Sequence, residues 1–196
     1  MAKKLLVLLL ILPLSMSGCK SNRRIETATV IENISVQRLG GQLVYTFYPL
    51  TDSETPEAVD IPAPSLEEAQ RLAQKQYIPN LSLAKLELIL IHKNAVSDVM
   101  QGDIGYISTQ ASFSPVAYVA LCDGGTLKRM RESTRVQRTI ENRLLLCRSH
   151  HPDVCLDYLS VYNSYARGCC FSVPFICGGD ELKVSAVTFP SQKENG

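Results

Sequence analysis

The run LAKLELILIH, residues 83–92, constrains the fold more than any other stretch of the chain. It is compact, apolar and β-prone, and its near-continuous hydrophobicity reads as a strand buried on both faces. Helical signals flank it. Upstream, SLEEAQRLAQKQ opens with Ser65 as N-cap and Glu68 three residues on, a capping box. Leu66, Ala69, Leu72 and Ala73 then share one helical face. Downstream, AVSDVMQGDIGYIS reads as a second helix, weakened by Gly102 and Gly105. A buried strand between two helices calls for layered packing.

The remaining segments extend that pattern. IETATVIENISVQ and QLVYTFY are two strands joined at Gly40-Gly41, a hairpin signal because glycine tolerates the positive φ of tight primed turns. PLTDSETPEAVDIPAP, with four prolines, reads as an exposed loop. SPVAYVALCD is a further strand ended by Asp123-Gly124-Gly125. TLKRMRESTRVQRTIENRLLL and DVCLDYLSVYNSYA carry helical spacing, with CRSHHP as the break and Asp153 as cap of the second. CCFSVPFICGGDELKVSAVTFP reads as an extended piece, a turn and a last strand from Leu182 to Phe189. The expected fold is therefore α+β, a mixed β-sheet packed with about four helices in one domain over residues 25–190. Residues 191–196 are a polar, flexible tail.

The first 18 residues stand apart. Lys3 and Lys4 precede a twelve-residue apolar run, Leu5 to Met16, and the small residues Ser17 and Gly18 then lead to Cys19. As a helix that run rises about 18 Å, too short for a bilayer core of about 30 Å. It fits a secretory signal peptide, residues 1–18. Ser-Gly-Cys at its end resembles a bacterial lipobox, with Met16 where Leu is commonest. That resemblance implies cleavage before Cys19, lipidation of its sulfur, and a short tether over residues 19–24. The alternative is an ordinary leader with a chance cysteine beside the cleavage site. Stable anchoring takes two or more acyl chains, and no later segment has the length of a membrane helix. The expected place of work is the extracytoplasmic face of a membrane.

The 20 Lys and Arg residues balance 19 Asp and Glu, and two of the former belong to the leader. That near-neutrality argues against nucleic acid as a partner. Arg23 and Arg24, just behind the anchor, are placed to touch anionic headgroups or to keep the tether solvated.

Six cysteines follow Cys19: Cys122, Cys147, Cys155, Cys169, Cys170 and Cys177. An even number in an exported protein invites a disulfide reading, and sequence cannot choose the pairing. Buried free thiols are the competing reading. Cys147, His150, His151 and Cys155 are all metal-ligand types, but their spacing lacks the regular pairs of zinc sites, and a solvated interhelical turn is the better expectation. His92 ends an apolar strand as a boundary residue. No P-loop, dinucleotide fingerprint or G-x-S-x-G appears. No cofactor is implied, and the chain reads as non-catalytic.

In order and character, these pieces resemble the N-terminal domain of the Ger(x)C family, the lipoprotein C subunits of spore nutrient germinant receptors. GCKSNRRIETATVIENIS keeps Cys19, Arg23 and Arg24 of the family's opening but not its Trp-Asp pair. SLEEAQRLAQKQYIPNLSLAKLELILIHKNAVSDVM follows its helix–strand–helix passage, with a strand ending in a His. ISTQASFSPVAYVALCDGGTLKRM keeps the next strand and helix without the family's arginine. CLDYLSVYNSYARGCCFSVPFI and DELKVSAVTFP resemble the closing helix and strands. Full-length relatives run about twice as long. The resemblance implies a role in spore germination: a lipid-anchored scaffold on the spore inner membrane, beside the A and B membrane subunits of the receptor. Two other classes stay open. One is a generic extracytoplasmic lipoprotein binding a small ligand or a cell-wall component, and the other a cysteine-rich zinc or redox protein.

Overall fold

The run at 83–92 becomes the middle of an eight-stranded mixed sheet. The structure is a computed structural model and describes residues 28–110, 112–178 and 181–191. Its strands are β1 (Thr29–Leu39), β2 (Gln42–Pro49), β3 (Val59–Pro62), β4 (Leu81–Ser82), β5 (Leu88–His92), β6 (Tyr118–Cys122), β7 (Phe171–Gly178) and β8 (Leu182–Phe189). They run in the order β3-β2-β1-β5-β6-β7-β8, with β4 paired to the start of β1. The central four, β1, β5, β6 and β7, are parallel to one another. β2 and β8 run the other way on either side.

Leu88, Ile89, Leu90 and Ile91 are each at most 3% exposed. Alternation along the strand sends Ile89 and Ile91 into one core and Leu88 and Leu90 into the other. Each side chain contributes about 1.5–3 kcal/mol by leaving water. Only a sheet covered on both faces can use such a strand, and helices supply the covers.

On one face lie α1 (Leu66–Gln76), α2 and α5 (Tyr158–Ala166), which bury Leu66, Ala69, Ile104, Tyr158 and Val161 against the larger core. α2 is one helical segment over 96–108 with a π-turn at Val99–Asp103. On the other face lie α3 (Gly124–Glu132) and α4 (Thr134–His150), burying Leu127, Met130, Ile140 and Leu144.

The hairpin forms at Gly40 and Gly41, both with positive φ. Ser65 caps α1, its hydroxyl accepting from the Glu68 N–H, while the Glu68 carboxylate turns outward to Arg71. The π-turn has a use as well. It sends Asp103, 3% exposed, to the positive end of α1, where it accepts from the Leu66 N–H at 2.8 Å and from the Tyr45 hydroxyl at 2.7 Å. Burial pushes the Asp103 carboxyl up, and those two donors pull against it.

Four expectations need correction. The proline-rich loop holds a strand, β3, paired antiparallel to β2 over Val59–Pro62; at the sheet edge a proline's missing N–H costs nothing. The buried run is strand only from Leu88, with β4 as a separate two-residue piece. The helical stretch from Thr126 divides at Ser133, whose extended backbone ends α3 and starts α4, and α4 continues through CRSH to His150. Finally, α5 is capped by Asp157, not Asp153: its carboxylate accepts from the Ser160 N–H and hydroxyl, both at 2.9 Å.

Residues 154–157 between those helices do something the sequence does not announce. α4 and α5 lie on opposite faces, so the chain must cross the sheet, and it crosses between β6 and β7. Cys155 N–H bonds Ser172 O on one side, and Val119 N–H bonds Leu156 O on the other, each at 2.8 Å. Direct pairing of β6 with β7 is confined to Leu121–Phe175 and Cys122–Ile176.

Candidate functional site

In open α/β sheets ligands gather at the carboxyl ends of parallel strands, above all where neighbouring connections leave on opposite faces. Here that point lies between β5, followed by α2, and β6, followed by α3. The side chains there are His92, Asp123 and Thr126, with Gly124, Gly125 and Gly178 around them.

Asp123 is the hub. As N-cap of α3 its Oδ1 accepts from the Thr126 N–H and hydroxyl, both at 2.8 Å. It also accepts from the Gly178 N–H at 3.3 Å, tying β6 and α3 to the end of β7. Burial pushes its carboxyl up, but the Thr126 and Gly178 donors and nearby His92 together hold it below the usual carboxylate range. Gly125 is required by space, because a Cβ there would stand 2.7 Å from the Gly178 carbonyl oxygen. A Cβ on Gly178 would in turn meet the Thr126 hydroxyl at 2.9 Å. The Asp-Gly-Gly signal, read from sequence as a strand stop, is thus a helix cap and a close backbone contact. His92 accepts at Nδ1 from the Asn94 N–H at 3.3 Å. The carboxylate beside these glycine backbones is a fastening that ties β6, α3 and β7 together.

Cys19, Arg23 and Arg24 lie outside the described residues. Each of the six remaining cysteines is a free thiol. Cys122 and Cys147 are buried in the core under α3 and α4, whereas Cys155 packs against the opposite core and touches Ser164 at 3.6 Å. Burial, then the charge of Asp123, pushes the Cys122 thiol up; burial does the same to Cys147. Both are inert packing groups. Cys169 and Cys170 are exposed in the turn before β7, and Cys177 is half-buried in β7.

Of the metal candidates, only Cys155 is carried away from the other three. Cys147 points into the core, His150 and His151 sit at the end of α4, and Cys155 is already crossing to the other face. No three metal-ligating side chains gather among the described residues. Cys147, His150 and His151 do line one wall of a groove of about 770 Å³ between α4 and the edge strand β8, together with Arg143, Leu146 and Val184.

Sequence reasoning missed the charge distribution. Folding sorts a neutral chain into unlike regions. α3 and α4 carry Lys128, Arg129, Arg131, Arg135, Arg138, Arg143 and Arg148 against Glu132 and Glu141. The loop before β3 carries Asp52, Glu54 and Glu57. Arg131 pairs with Asp60 and Arg148 with Asp157. A count per segment finds this layer; a count over the whole chain cancels it.

The layer also holds a tension. Gln137 donates to Met130 O and accepts from Asn33 Nδ2, leaving Asn33 Oδ1 buried without a partner; Glu141 Oε1, one turn on, is likewise unpartnered. Burial, then Glu87 and Glu32, pushes the Glu141 carboxyl up to about 7. No helix among the described residues is long and apolar enough to cross a membrane. No family model, curated protein or solved structure matches the chain.

Proposed function

We propose that the chain is a lipid-anchored, non-catalytic subunit of a spore nutrient germinant receptor, working at the extracytoplasmic face of the spore inner membrane as a scaffold beside the A and B membrane subunits. The observation that carries the reading is Cys19, set directly behind a short apolar leader and followed by the helix–strand–helix passage of the Ger(x)C resemblance. Two features of the fold support it. Ser65 caps the helix and His92 ends the buried strand, as that resemblance expects. At the carboxyl end of the parallel strands Asp123 serves as helix cap and tie to β7, a structural use in keeping with a scaffold. Anchoring works through effective concentration: a domain held near partners in one membrane needs only weak interfaces.

The test is Cys19→Ala in the native host. The variant is expected to leave the membrane fraction or to persist as uncleaved precursor, and its spores to lose the nutrient response of the parent. Intact-mass analysis of the parent is expected to show acyl chains on Cys19. A parent chain without fatty acid, or deletion spores that germinate normally on every nutrient, would overturn the reading.

A further inference from the structure

Large apolar side chains left in water are unevenly placed. Eight are more than a third exposed among the described residues. Four of them, Leu50, Tyr77, Val116 and Leu159, stand at the amino end of the parallel strands. Leu50 N–H bonds Val30 O at the start of β1, Tyr77 ends α1 just before β4, Val116 precedes β6, and Leu159 N–H bonds Pro115 O. The opposite end has only Leu39.

Val116, 71% exposed, is the most open of the eight. It shares a hollow with Lys85 and Arg148, and Leu145, 50% exposed, lies one turn before Arg148 on α4. Beyond them α4 adds Leu146, Arg138 and Arg143 along its exposed side. Four acids share the region: Asp157, taken up by Arg148 and the cap of α5, and the cluster of Glu87, Glu32 and Glu141, of which Glu32 and Glu141 face Arg138.

The chain enters the fold at this same end. Eight residues, 20–27, separate Cys19 from Ala28, and the nine steps span at most about 30 Å when stretched. β1 carries the Leu39 end about 33 Å from Thr29, beyond that reach, whereas the amino end lies beside the point of entry.

We propose that the amino end of the parallel strands seats on an anionic bilayer surface, with Val116, Leu145 and Leu159 dipping into the headgroup layer and Lys85, Arg138 and Arg148 ringing them against lipid phosphates. Apolar tips within a cationic rim are the chemistry of an interfacial contact, and long basic side chains reach phosphate while their stems stay apolar. The proposal rests on the lipid-anchor reading for its orientation argument. In that frame the carboxyl end of the parallel strands points away from the lipid.

The test uses the chain from Lys20 onward, since every residue of both cores lies at Ile31 or later. The protein has no tryptophan, so Val116→Trp and Leu39→Trp each install a single reporter. On vesicles of phosphatidylglycerol and phosphatidylcholine, emission of Val116→Trp is expected to shift to the blue, and that of Leu39→Trp to stay put. Added salt or pure phosphatidylcholine is expected to abolish the shift. The double variant Leu145→Ser/Leu159→Ser, with an unchanged melt, is expected to bind at least about tenfold more weakly. If neither reporter shifts, if Leu39→Trp shifts instead, or if the double variant binds like the parent, the proposal falls and the patch belongs to a protein partner. The anchor is read separately: absence of acyl mass on Cys19 with a shifted Val116→Trp would sink the anchor and leave this surface standing.

Discussion

The two ends of the parallel strands are built on opposite principles. At the carboxyl end Asp123 gathers the Thr126 N–H, the Thr126 hydroxyl and the Gly178 N–H, and glycines bring two backbones together over the strand tips. At the amino end polar atoms go unpaired inside, Asn33 Oδ1 and Glu141 Oε1, and apolar side chains stand outside. One end is closed by satisfied hydrogen bonds; the other keeps unspent interaction capacity. In this architecture the carboxyl end is the usual place for a ligand. Here the exposed apolar side chains stand at the far end instead.

The largest effect should come from the strand both ends share. Leu90→Asp places an unpaired charge in a position that is fully buried, which costs several kcal/mol. No cooperative melt is expected, and a transition at the parent temperature would show that the sheet centre is misplaced. Next comes the closed end. Asp123→Ala removes a helix cap and the tie to β7, and a loss of about 2–3 kcal/mol is expected in urea titration. A loss below 0.5 kcal/mol would mean the two ends do not differ in kind.

The open end should respond to pH. Glu141 is raised in the fold, so the native state binds its proton more tightly than the unfolded chain. Its contribution is neutral below the unfolded carboxylate range, turns unfavourable as pH climbs through that range, and levels off above about 7. Glu141→Gln should therefore raise the melting temperature at pH 8, by an effect on the order of 1 kcal/mol, and do so far less at pH 4. An equal gain at both pH values would assign the effect to something other than ionisation. Smallest of all, Val116→Ser should leave stability within about 0.5 kcal/mol, because the side chain it removes is already in water. A larger loss would mean that Val116 packs against something and is no free surface.

Legibility in the sequence followed the range of the forces involved. α1, the β1–β2 hairpin and the buried run were readable because cap, turn and alternation act within a few residues. β3 was hidden by Pro62 and the prolines around it; Pro62 is tolerated because β3 lies at the sheet edge, a fact of the whole topology. The division at Ser133 and the late start of α5 were hidden because nothing local forbids one longer helix. The pairing of Asp123 with Gly178 spans 55 residues and left no trace beyond two glycine pairs. The basic layer of α3 and α4 was visible in sequence but disappeared in a chain-wide sum.

The crossing at 154–157 has a mechanical consequence. Because the polypeptide passes through that seam, the terminal hairpin of β7 and β8 grips the rest of the sheet through only two residue pairs directly. It is hung like a door, on a short upper hinge and an interposed strip. Amide hydrogens along β7 and β8 should thus exchange as one group, ahead of those in β1 and β5, in a partial opening that leaves the body of the molecule intact.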